Sequence, residues 1–141
     1  MNQYRFEDIE VGMEESFEVT IKQEMLQKFL EITGDINPLH TDAKFAKQKG
    51  YDSCVAYGML TASFLSTLAG VYLPGERSLI HSVETKFVKP VFAGDTLTVH
   101  GKVTEKNDLF PVFTMKVTIT NQKKEKVLRG SMQIGVLEDG E

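Results

Sequence analysis

The sequence carries a single cysteine, Cys54, in 141 residues, which excludes an internal disulfide and a thiolate-rich zinc site. So little cysteine fits a reducing compartment, and the expected location is the cytoplasm. Also missing is any apolar window long enough to cross a bilayer, and the opening Met1-Asn2-Gln3-Tyr4-Arg5-Phe6-Glu7-Asp8 has no signal-peptide stretch. No membrane partner is expected. Long runs of like charge are absent as well: 16 basic residues against 20 acidic ones give a net charge of -4. A balance of that kind disfavours nucleic-acid binding. There is no internal repeat and no low-complexity tract. With 41% hydrophobic and 26% charged residues, the chain suits one compact domain spanning residues 1–141 around a sizeable core.

What is present divides into a mixed first half and a strand-rich second half. Phe17, Val19 and Ile21 alternate as in a strand, and Thr20 with Gln23 offers a capping box for the helix that follows. Met25, Leu26, Phe29, Leu30 and Ile32 recur at helical spacing up to the stop signal Gly34. In Asp35-Ile36-Asn37-Pro38-Leu39-His40, Pro38 forbids a continuing helix, so Asp35 and His40 are expected on a turn. A short helix over Ala43 to Lys49 follows, capped by Asp42. From Gly58 to Tyr72 apolar side chains are spread around nearly the whole helical circumference, which predicts a buried helix. Period-two patterns then mark a strand around Ser78 to Lys89 and further strands through Leu97–Val103, Phe113–Ile119 and Leu128–Val136. The expected architecture is α+β, a hot-dog fold in which a curved antiparallel sheet wraps around the buried central helix.

The stretch Phe29-Leu30-Glu31-Ile32-Thr33-Gly34-Asp35-Ile36-Asn37-Pro38-Leu39-His40 resembles the signature of the MaoC-like dehydratases, which include the (R)-specific 2-enoyl-CoA hydratases. The likeness runs from Phe6-Glu7-Asp8-Ile9-Glu10-Val11-Gly12 to the strand holding Phe87 and Pro90, and its centre is Gly-Asp-x-Asn-Pro-x-His. The resemblance implies a hot-dog fold, a homodimer as the minimal unit, and hydration of a trans-2-enoyl-CoA to an (R)-3-hydroxyacyl-CoA. It also implies Asp35 and His40 as the catalytic pair, with Asn37 shaping the turn that holds them. No cofactor or metal is implied; coenzyme A enters as part of the substrate, with acyl carrier protein as the other possible carrier.

Chemistry makes these assignments reasonable. Water is a poor nucleophile, so its addition to the β carbon of an enoyl thioester calls for a positioned base, and the α carbon must receive a proton. A carboxylate and an imidazole converging across an Asn-Pro bend can do both. Charge developing on the thioester oxygen calls for a donor, and Gly58 at the start of the central helix lets a backbone amide approach it. Tyr57 stands where members of the family commonly carry His, which bears on the hydrogen bonding beside that amide and on substrate range. Small residues at Ala62, Ser63, Ser66, Ala69 and Gly70 suggest close packing or an acyl channel, with Ser66 near its reacting end. Lys44, Lys47, Lys49, Lys86 and Lys89 are candidates for coenzyme A phosphates. His81 and His100 lack metal-ligand spacing. Two other functions fit the same residues: a hot-dog acyl-CoA thioesterase, and a non-catalytic dimer that binds acyl-CoA.

Overall fold

The computed structural model describes residues 1–139. After a 3₁₀ turn at Phe6–Asp8, the elements are β1 (Glu14–Thr20), α1 (Gln23–Thr33), α2 (Pro38–Thr41), α3 (Ala43–Gln48) and α4 (Gly58–Thr67). A π-helical turn, Leu68–Tyr72, extends α4, and β2 (Ser78–Phe87), β3 (Thr96–Lys106), β4 (Val112–Thr120) and β5 (Lys126–Val136) follow. The five strands form one antiparallel sheet in the order β1-β3-β4-β5-β2. Alternation explains its two faces. Leu97, Val99 and Val103 on β3, with Phe113, Met115, Val117 and Ile119 on β4, are buried on one side, whereas Lys102 and Lys116 on the other are exposed. Helix α4 and its π-helical turn lie against the apolar face through the buried Leu60, Leu65, Leu68 and Ala69.

This α+β arrangement is hot-dog-like, but the expectation of a sheet wrapped around a helix buried on all sides is corrected. The sheet is open: β1 and β2 are its edges and each pairs with one neighbour. Its single apolar face covers one side of the helix, so Met59 stays 65% exposed and Val71 37%. The apolar face also continues past the helix. Across the ladder, Ile80, Val83 and Phe87 stand beside the buried Ile134, Met132 and Leu128, yet Val83 is 49% and Phe87 52% exposed.

Three local expectations also give way. The capping box at Thr20 does not form, because Thr20 is the last residue of β1, its hydroxyl pairs with that of Thr96, and Lys22 occupies the N-cap of α1 with no side-chain bond. Pro38 does stand beyond the end of α1, which stops at Thr33, but it begins a helix of its own. It sits in the first turn of α2, where a missing N–H leaves nothing unsatisfied, and this places His40 on a helical turn. Gly34, at φ 72°, closes α1 in the left-handed region, its amide donating to the Leu30 carbonyl at 2.7 Å. Ile32, assigned by spacing to the apolar stripe of α1, is exposed. No helix among the described residues is long and apolar enough to cross a membrane.

Candidate active site

Asp35, Asn37 and His40 are arranged by short-range hydrogen bonds that the local sequence dictates. The Asp35 carboxylate accepts from the Asn37 amide at 3.1 Å, and the Asn37 side-chain oxygen caps α2 by accepting from the Leu39 amide at 3.0 Å. The Asp35 amide donates to the Thr33 hydroxyl at 3.2 Å. Asp35 therefore lies on the exposed approach to α2 with its backbone direction fixed from both sides. His40 is half-buried, and its Nδ1 lies 2.6 Å from the Val55 carbonyl oxygen. A carbonyl oxygen only accepts, so Nδ1 carries the hydrogen, and in the neutral ring Nε2 is left as the acceptor. The Val55 amide returns a bond to the Leu39 carbonyl at 3.1 Å, and the Ala56 amide bonds the Val91 carbonyl at 2.7 Å, which ties the segment before α4 to both walls of the site.

Tyr57 links the catalytic candidates to α4. Its hydroxyl donates to the Asp35 carbonyl oxygen at 2.8 Å, its ring stacks on His40 at 4.2 Å between centroids, and Phe29 packs on it at 4.9 Å. Burial pushes the Tyr57 phenol above its ordinary range, the negative charge of Asp35 adds to that, and Cys54 contributes last. It remains a neutral donor that fixes the turn carrying Asp35 and the plane of the His40 ring together.

Next to these groups lies a cavity of about 280 Å³ whose lining includes His40, Gly58, Thr61, Phe87, Lys89 and Val91. Gly58 is the first residue of α4, so its N–H has no intrahelical acceptor and is available at the positive end of the helix. A Cβ at that position would come within 3.1 Å of the Phe87 ring, so only glycine fits without moving the aromatic side chain. Lys89 at the rim is held by Glu125, whose carboxyl is lowered first by the hydrogen bond from Lys89 and then by that from Asn121.

The cavity brings His40 and Gly58 together, while Tyr57, Asn37 and Asp35 are joined to His40 by the contacts above and do not line it. Ser66 is placed elsewhere: it is exposed, beside a separate depression with Met1, Gly70 and Leu79. Lys44, Lys47 and Lys49 are exposed around α3, and Lys86 faces Arg129 across the β2–β5 ladder. Thr61 and Phe87 are not singled out by sequence. The signal for Thr61 is its spacing, three residues after Gly58 on one helix face; for Phe87 there is none, since its approach depends on where β2 passes α4.

Comparison with known proteins identifies the family of the chain. The MaoC like domain matches residues 6–127. A 3-hydroxybutyryl-CoA dehydratase from Methylorubrum extorquens is 37% identical over 71% of the chain, which spans 64% of that relative's length. An (R)-specific enoyl-CoA hydratase from Rhodospirillum rubrum is 34% identical over 83% of each protein. Among solved structures, an (R)-hydratase from A. caviae superposes with a TM-score of 0.87 at 29% identity, covering 92% of this chain and 98% of that one.

Proposed function

The chain belongs to the MaoC-like domain family, and from that membership we propose that it catalyses the reversible addition of water to a trans-2-enoyl thioester, giving the (R)-3-hydroxyacyl product, with Asp35 and His40 as the catalytic pair. It is a hydro-lyase resembling the (R)-specific enoyl-CoA hydratases. The observation that carries the site assignment is the 2.6 Å contact between His40 Nδ1 and the Val55 carbonyl. It leaves Nε2 as a proton acceptor beside a cavity that also holds the Gly58 amide. A water held between that nitrogen and the Asp35 carboxylate loses a proton as its oxygen bonds the β carbon, and the α carbon takes a proton as the double bond is lost. Through the transition state the thioester oxygen gains negative charge, and the Gly58 N–H with the α4 dipole stabilises it. Asn37 and Tyr57 hold the pair in place.

The carrier we assign is coenzyme A, with the lysines around α3 and at the cavity rim as candidates for its phosphates. The assembly we assign is a homodimer formed along β2, whose free edge and uncovered apolar side chains suit pairing with a second copy.

Incubation of the protein with crotonyl-CoA tests the function. The expected result is loss of the conjugated enoyl absorbance with the thioester intact, and (R)-3-hydroxybutyryl-CoA on chiral analysis. Release of free thiol without hydration overturns the assignment in favour of hydrolysis.

A further inference from the structure

Thr61 is 2% exposed, and its Oγ1 is buried with no hydrogen-bond partner among the described residues. Serine and threonine in helices commonly return their hydroxyl to a carbonyl three or four residues back. Thr33 does so on Phe29 at 2.8 Å, and Ser63, two residues from Thr61 on the same helix, does so on Leu60 at 2.6 Å. For Thr61 the corresponding carbonyls are those of Tyr57 and Gly58, and its hydroxyl bonds neither; that of Tyr57 already accepts from the Leu60 and Thr61 amides at 3.1 and 3.2 Å. A buried hydroxyl left unpaired costs stability, and valine would fill the same shape without that cost. Thr61 is one of the residues that line the cavity shared by His40 and Gly58.

We propose that Thr61 is a specificity residue whose hydroxyl binds a hydroxyl on the carbon just beyond the double bond, so that the cavity favours short 4-hydroxy-2-enoyl thioesters over plain hydrocarbon ones. This rests on the hydratase function proposed above. With the thioester oxygen on the Gly58 amide, Thr61 lies ~4.5 Å further along the helix axis, the span of a few carbon–carbon bonds. An acyl chain running along α4 therefore brings its fourth carbon, not its reacting carbons, beside Oγ1. An alcohol suits this partner because each hydroxyl both donates and accepts. A cavity of about 280 Å³ suits a short acyl group.

The test compares crotonyl-CoA with trans-4-hydroxybut-2-enoyl-CoA for wild type, Thr61→Val and Thr61→Ser. Wild type is expected to favour the hydroxylated substrate in kcat/KM. Thr61→Val is expected to lower that preference roughly five- to tenfold, the worth of one neutral hydrogen bond, and Thr61→Ser to keep most of it. Thr61→Val is also expected to raise the melting temperature of the ligand-free protein, since it deletes an unpaired polar atom. An unaltered substrate ratio in Thr61→Val overturns the proposal, as does a lower melting temperature, which would mean that the hydroxyl already has a structural partner. Failure of wild type to hydrate crotonyl-CoA strikes instead at the hydratase function, and the melting measurement reads Thr61 independently of it.

Discussion

At the residue scale the proposed site divides labour between an exposed carboxylate and a ring held from two directions. Asp35→Asn keeps the acceptor for the Asn37 amide but removes the charge, whereas His40→Ala removes the proton acceptor itself. Each is expected to lower kcat on crotonyl-CoA by roughly 10²- to 10⁴-fold, with circular dichroism unchanged. Tyr57→Phe keeps the stack on His40 and loses the bond to the Asp35 carbonyl. Its expected cost is about 1 kcal/mol of stability, measured by urea unfolding. Asp35, Asn37 and His40 are legible in the sequence because they sit within one hexapeptide whose turn chemistry is local. The part played by Tyr57 is only half legible. Sequence marks the position as unusual, but the bond from its hydroxyl back to Asp35 spans 22 residues and depends on how α4 docks. The same holds for Thr61, whose unpaired hydroxyl is a property of its surroundings.

At the scale of elements, α2 is too short to be stable by propagation and depends on its cap. Asn37→Ala removes the acceptor for the Leu39 amide and is expected to cost about 1 kcal/mol, while Asn37→Asp keeps the cap. The distinguishing measurement is turnover at a temperature well below unfolding, where the alanine variant is expected to lose activity because His40 is carried on the loosened turn. Pro38 explains why sequence alone places a turn here: proline is read as a breaker, although in a first helical turn its fixed φ favours the helix. Strands β3 and β4 are legible because one face is dry and the other wet, so polarity alternates, whereas β5 alternates only in part, with Val127 and Gly135 buried as well. The surroundings of α4 are not. Its apolar circumference reads as burial on every side, but only the side against the sheet is covered, and no pattern within one helix reveals how far its partner sheet extends.

For the whole molecule, the uncovered part of the apolar face predicts the assembly. In sedimentation velocity the wild type is expected to give dimers and Val83→Lys, on the core-side row of β2, monomers. Alkaline pH acts on the fold through Tyr57. Its folded-state pKa lies above the ordinary 10.0, so between the two values the unfolded chain releases a proton that the native state keeps. That stability is fully present below pH 10 and is lost as pH rises through the shifted value. Urea midpoints across the alkaline range are expected to fall less steeply in Tyr57→Phe, though not to level off, because burial, aided by Glu15, raises Tyr4 as well. The wet side of the sheet has a practical consequence. Lys102 and Lys116 are register neighbours on β3 and β4, on the side opposite the helix. Anchoring the protein to a support through that lysine pair would leave the cavity beside His40 unobstructed, giving an immobilised catalyst.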